Sequence, residues 1–263
     1  MTIEFLVIAD PQDRGAASVT RRLTALHGGS AVLQLSPASL SRSRWLHTVS
    51  PAGTCDTRIG VPDGRTADDR SLRWVLNRMV SPPVVPAFRT ASAKDQDYAA
   101  AEFQALMTSW LASLGTRVIN PAGPALLAGA YGPPLSWMGQ ARAAGLKVQI
   151  SRMATPGGIP SSVPESPIGS KDQSPGSYVL VAGRRILGPL AAMFGPQCLD
   201  LGQRLGVVLA AFHFVPSGRN LVLARVNCMP PLAQEEEVDA VVRLAAEESE
   251  GRVLHDSRLR AAR

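Results

Sequence analysis

Cysteine is scarce in this chain, and lysine equally so. Three cysteines, Cys55, Cys198 and Cys228, lie far apart with no C-x-x-C spacing. An odd, dispersed set does not build a disulfide framework or a paired zinc site, so reduced thiols are expected. Lysine occurs only as Lys94, Lys147 and Lys171, although Lys and Arg together number 27. The net charge of +6 is therefore carried by scattered arginines. Scattered charge is not the stripe that tracks a phosphate backbone, so nucleic acid is not an expected partner. Arg252, Arg258, Arg260 and Arg263 do cluster at the C-terminus, where a solvated tail is the plainer reading. No run of about 18 uninterrupted apolar residues is present, so no membrane helix and no membrane partner are expected. Residues 1–10 lack a basic n-region and carry Glu4 inside their apolar run, which reads as a strand rather than a signal peptide. The cytoplasm is the expected location. Also missing are a G-x-G-x-x-G turn, a G-x-S-x-G elbow, an H-E-x-x-H helix and any metal-spaced Cys/His set.

What is present suits a globular α/β protein. The chain has 263 residues, 45% of them hydrophobic, enough for one large core or two small ones. Residues 2–9 read as a buried strand, Arg14 to His27 as a helix with Val19, Leu23 and Leu26 on one face, and Ala31 to Leu35 as a second strand. This β-α-β start is typical of a doubly wound sheet. Residues 71–79 read as a strand or a helix-to-strand segment, and Val118-Ile119-Asn120-Pro121 as a short strand closing on a turn. Phe103, Leu106, Met107, Trp110, Leu111 and Leu114 recur at helical spacing before Gly115, which predicts a helix over 95–114. A helix over 133–144, a strand over 146–150, a hairpin over 178–188, a short helix over 198–205 and an amphipathic helix over 235–246 complete the pattern. Residues 154–176 are rich in Pro, Gly and Ser and are expected to form a mobile linker.

Two apolar runs between Gly206 and Pro231 flank the turn Pro216-Ser217-Gly218-Arg219-Asn220, and the second ends Val-Asn-Cys-Met-Pro-Pro. This unit resembles the closing hairpin of the ATP-grasp ligases. Earlier stretches, in matching order, resemble the domain that precedes the core in glutathione-synthetase-like and ribosomal-protein-S6-glutamate-ligase-like members: Leu76-Asn77-Arg78, Tyr98-x-x-x-Glu102, Val118-Ile119-Asn120-Pro121 and Ala144-Gly145-Leu146. Tyr178 to Gly188 is similar to the family's V-x-V-V-G-x-x-V hairpin.

The resemblance implies an α/β fold, a pre-ATP-grasp-like parallel sheet domain joined to a truncated ATP-grasp-like C-terminal core. The expected divisions are 1–153, the linker 154–176, the core 177–250 and a basic tail 251–263. It also implies where the chemistry should be. The family's Asp on the first hairpin strand corresponds to His213, its metal-holding Glu to Arg225, and only its Asn is kept, as Asn227. Arginine keeps its proton and cannot be a ligand for a hard cation. A lobe of roughly 60–80 residues bearing phosphate-binding lysines and a glycine-rich loop, whose donors would cradle phosphate, is expected to be missing at the linker. None of the three lysines stands where a phosphate clamp would be, and Gly132-Pro133-Pro134-Leu135 replaces a family Lys.

The expected function is that of a catalytically degenerate ATP-grasp-like protein, a binding or scaffolding subunit in a biosynthetic or peptide-modification pathway. No catalytic residue, cofactor or metal is expected. His213, Arg225 and Asn227 are the candidate contact or anion site. The expected partner is a protein, an intact ATP-grasp enzyme or another enzyme of the pathway, with a small anionic ligand as the other occupant. The alternatives are a carboxylate-amine ligase completed by a partner chain and a nucleic-acid-binding accessory protein. Two local readings accompany these: Glu102 as an ion-pair partner of Arg78, and a pairing of His213 with Cys228 as base and nucleophile, against which both residues are more simply core.

Overall fold

The computed structural model describes residues 2–79, 85–120, 122, 127–128, 134–149 and 177–247, with side chains of 134–136 left out. Its first half is a parallel sheet of β1 (Phe5–Ile8), β2 (Val32–Leu35), β6 (Trp74–Asn77) and β7 (Val118–Ile119), in the order β2-β1-β6-β7. Helix α1 (Arg14–His27) connects β1 to β2. Asp13 caps it by accepting from the Ala16 N–H at 2.9 Å, and Gly28 ends it at φ +83°, which a residue with a side chain rarely adopts. Val19 and Leu23 are buried as the periodicity requires, whereas Leu26 is 65% exposed. In that last turn the contact with the sheet is made by His27 instead, whose ring stacks on Phe5 at 4.2 Å.

All four residues of β1 are buried, and their alternation feeds two cores. Leu6 and Ile8 face helix α3 (Ala93–Leu114), which contributes Phe103, Met107, Trp110, Leu111 and Leu114. The same side is closed by a three-stranded antiparallel sheet in the order β3-β4-β5, made of β3 (Arg44–Val49), β4 (Cys55–Gly60) and β5 (Thr66–Asp68). Its Ile59 and Ala67 enter that core. The short helix α2 (Pro37–Leu40) leads into it. The sequence reading contains no counterpart of this sheet.

The second half is an antiparallel sheet in the order β11-β10-β8-β9, made of β8 (Tyr178–Ala182), β9 (Arg185–Leu187), β10 (Leu209–Ser217) and β11 (Asn220–Asn227). One face carries Val179, Val181, Phe212 and Phe214 against α4 (Pro134–Ala143) and α5 (Ala191–Leu205). The other carries Leu180, Ala182, Leu209 and Ala211 into a core shared with Phe5 and Val7 of β1, with α1, and with helix α6 (residues 235–247). Val238, Val241 and Val242 point inward there, as expected.

Three expectations change. Helix α5 begins at Ala191 rather than near 198, and it contains Pro196 in its second turn. Residues 146–149, expected within a strand over 146–150, form only an isolated bridge. They border β11 through one bridge, Val148 to Leu223, with Leu223 N–H donating to Lys147 C=O at 2.7 Å and Gln149 N–H to Leu223 C=O at 2.9 Å. Arg78 does not pair with Glu102, which is exposed on α3 beside the exposed Tyr98. Its partner is Asp13, because β6 ends beside the start of α1. The reading of 154–176 as a linker falls outside the described residues.

Candidate functional site

The β10–β11 hairpin holds the three residues singled out in the sequence. Its register places His213 opposite Arg225 and Ala211 opposite Asn227, with a bulge between His213 and Phe214. Side chains alternate along a strand, so His213, Arg225 and Asn227 share one face. It is the face that carries Leu209 and Ala211 into the shared core. The pairing of β10 with β8 extends the row, because Tyr178 lies opposite His213 with ring centroids 6.0 Å apart. From α6 comes Glu237, 5% exposed, which accepts the Tyr178 hydroxyl at 2.6 Å and the Gln234 N–H at 3.2 Å. The row thus reads Arg225, His213, Tyr178, Glu237 across three strands and a helix.

The electrostatics of the row favour a neutral histidine. Burial pushes the His213 imidazole below its usual range, and the Arg225 guanidinium pushes it the same way. Its Nε2 is buried with no hydrogen-bond partner among the described residues. Burial, with help from the Glu237 carboxylate, raises the Tyr178 phenol to about 12. Arg225 is exposed on the edge strand β11. Asn227 Oδ1 accepts the Met229 N–H at 3.0 Å, which turns the chain after the strand.

These residues do not fit magnesium-bound ATP. A fixed cation stands where the resemblance places a ligand carboxylate, and a second cation bound beside Arg225 would be repelled. Among the described residues no three His, Cys, Asp or Glu side chains converge closely enough to hold a metal ion. The pairing of His213 with Cys228 also fails. Cys228 belongs to the core on the opposite face, and burial raises its thiol to about 11, so it lacks the thiolate a nucleophile needs. Cys198 is likewise buried and raised to about 12.

A second place is expected to take ligands in an open parallel sheet: the crevice beyond the strand ends where the strand order reverses, here between β1 and β6. It is filled by the chain itself. Arg78, with a side chain 7% exposed, donates to Asp13 at 2.5 Å and to the Pro230 carbonyl at 2.9 Å. Gly15 of α1 lies so close to the same loop that an added Cβ would sit 2.3 Å from the Pro231 carbonyl oxygen. Next to it, Asn120 at φ +59° spends its whole carboxamide on the second sheet. Its Nδ2 donates to Leu209 and Cys228 carbonyls at 2.6 and 3.2 Å, and its Oδ1 accepts the Val208 and Leu209 N–H groups at 2.9 and 3.0 Å. Arg78 and Asn120, both within stretches that carry the family resemblance, join the two halves. In the sequence Tyr178 stands out only as the first residue of a hairpin, and Glu237 only through the Gln234-x-x-Glu237 spacing at the start of α6, so neither points to this site.

No protein-family model and no curated protein matches the sequence. Solved structures do. The ATP-grasp ligase PsnB complexed with minimal precursor, Mg and ADP superposes with a TM-score of 0.65 at 14% identity, covering 94% of this chain and 98% of that one. The macrocyclase MdnC from Microcystis aeruginosa MRC, bound with precursor peptide MdnA, gives 0.61 at 13% identity over 91% of this chain and 98% of its own. A RiPP-associated ATP-grasp ligase from Chryseobacterium gregarium, in complex with ADP and a leader and core peptide, gives 0.61 at 12% identity over 94% and 97%. The chain has an ATP-grasp-like α/β fold, as the hairpin resemblance implied.

Proposed function

We propose that this chain is a binding or scaffolding subunit of a peptide-modifying pathway, an ATP-grasp-like protein that does not itself transfer phosphate. The observation that carries the proposal is the cross-strand pair of His213 and Arg225, a neutral imidazole facing a guanidinium where ligation of magnesium calls for carboxylates. Likeness to ligases described with precursor peptides supports the peptide pathway. In this reading residues 1–153 and 177–250 form the two parts of the fold, 154–176 link them in place of a phosphate-binding lobe, and the protein acts in the cytoplasm. Its partner is an intact ATP-grasp enzyme or another enzyme of the pathway. The exposed face of Arg225 with Asn227 is a contact for a carboxylate of that partner or for a small anion.

Calorimetric titration of the full chain with Mg-ATP tests it. No binding is expected up to millimolar nucleotide. A dissociation constant at or below about 100 μM, roughly 5.5 kcal/mol of binding free energy, would overturn the proposal.

A further inference from the structure

The antiparallel sheet has one edge bordered by residues 146–149 along β11, while β9 at its other edge pairs with no further strand among the described residues. Beside β9 lies a cleft of about 200 Å³ lined by Arg185, Leu187, Glu236, Asp239, Ala240 and Arg243. One wall is the strand and the other is a single face of α6, since positions 236, 239, 240 and 243 recur at helical spacing.

The open edge has a definite hydrogen-bonding offer. The hairpin closes through Gly183 and Arg184, with Ala182 opposite Arg185 and Val181 opposite Ile186. In a two-residue hairpin the flanking pair exchanges hydrogen bonds, and the alternation then turns the Ile186 N–H and C=O away from β8. The Ile186 side chain packs the other way, against α5 at Gly195. An added strand would meet the Ile186 backbone and direct every second side chain into the cleft.

The cleft also has a polarity. Helix α6 runs opposite to β9: its first turn meets Tyr178 through Glu237, and its last turn meets the hairpin turn, where Leu244 lies at Gly183 and Glu247 pairs with Arg185. At the hairpin end the Arg185 hydrogen bond, with the charges of Arg243 and Arg184, holds the Glu247 carboxylate below its usual range, and three arginines to one carboxylate make that end net basic. At the other end Glu235 and Asp239 share Arg22, and Glu236 adds a further carboxylate, so that end is net acidic.

We propose that the β9 edge and the α6 face bind an extended peptide that pairs antiparallel to β9 and carries a basic residue followed two positions later by an acidic one. Antiparallel pairing runs the peptide from the acidic end of the cleft to the basic end, which fixes the order of its charges. The spacing follows from geometry: Asp239 and Arg243 stand about 6 Å apart along the helix axis, and alternate residues of a strand about 6.8 Å apart. The inference rests on the peptide-pathway reading above and deepens it.

The test uses the full chain and three labelled synthetic peptides of one composition: Val-Lys-Val-Glu-Val, the reversed charge order Val-Glu-Val-Lys-Val, and the first peptide N-methylated at its central valine. Fluorescence anisotropy should show the first binding at least about tenfold more tightly than either of the others. The double variant Asp239→Arg, Arg243→Glu leaves each end of the cleft without net charge and should abolish the preference between the two charge orders, with an unchanged thermal melt as its folding control. Hydrogen exchange at the Ile186 amide should slow when the first peptide is added. Equal binding of the two charge orders by the parent chain, binding of none of the three peptides, or unaltered exchange at Ile186 would overturn the proposal. Failure here with no Mg-ATP binding leaves the subunit reading standing, and tight Mg-ATP binding with ordered peptide binding does the reverse.

Discussion

Two arginines mark the two places where this fold would be expected to take a ligand, and they are used in opposite ways. Arg78, after β6, is inside: Asp13 and the Pro230 carbonyl absorb its donors, and the crevice at the strand-order reversal becomes a joint. Arg225, on β11, is outside, with its charge facing solvent next to a half-buried neutral histidine. A cation that is desolvated and paired organises its surroundings, whereas one at a surface costs little to keep and is free to meet a partner. The crevice therefore contributes to the fold, and the hairpin face keeps an exposed charge, which is where the proposed contact lies. Substitutions should break this contrast in a definite order.

The largest effect is expected at Asn120, beside the crevice. Asn120→Ala removes the partners of two backbone N–H and two C=O groups and places alanine in a left-handed conformation that asparagine tolerates better. A loss of about 4 kcal/mol is expected, read by urea unfolding. Asn120→Gly keeps the backbone free to hold φ +59° while losing the same bonds, so it should recover about 1 kcal/mol. If Asn120→Ala unfolds like the parent, the two halves are not joined there.

Next comes Arg78→Leu, which leaves the Asp13 carboxylate and the Pro230 carbonyl without their donor. A loss of about 3 kcal/mol is expected, the usual cost of removing one partner from a largely buried pair. Asp13→Asn in the same background should recover part of it, because the stranded charge is gone. The double variant also changes the cap of α1, which remains able to accept from Ala16. An Arg78→Leu protein as stable as the parent would make the crevice an ordinary surface cleft.

Much of this architecture is legible in the residues themselves. Helix α1 follows from Asp13, the apolar spacing and Gly28, and helix α3 from Phe103, Met107, Trp110 and Leu114, because each carries its own start, face and stop. The β8–β9 and β10–β11 hairpins are readable from apolar runs broken by glycine turns. The β3–β5 sheet is not, because its buried side mixes apolar residues with Thr57 and with His47, whose ring bonds Thr57 and Ser109 at 2.9 and 2.8 Å. Polar residues that satisfy one another inside erase the alternation that marks a half-buried strand. The same limit hides the site. His213, Arg225 and Asn227 lie in one hairpin and their shared face follows from strand periodicity, whereas Tyr178 and Glu237 reach it from 59 residues apart. Glu102 is the expected partner of Arg78, but the true partner Asp13 is 65 residues away in sequence and is brought near by the parallel pairing of β1 with β6.

The smallest effect is expected on the open side, and it is a matter of pH. His213 has its folded-state pKa lowered, first by burial and then by Arg225, so the unfolded chain binds a proton there more readily than the folded one. Its contribution is therefore complete above the unfolded value near 6.5 and is lost as pH falls from that value through the lowered folded one. Thermal melts between pH 7.5 and 5 should show the parent losing stability more steeply than His213→Phe, which has no proton to take up. Arg225→Gln should flatten the profile only slightly, since burial is the larger cause and an exposed guanidinium is well screened, and raising salt should mimic that small change. A profile for His213→Phe parallel to the parent would mean that the imidazole is hydrated in the folded chain. It would then be as open as Arg225, and the difference between the inside of the hairpin face and its outside would disappear.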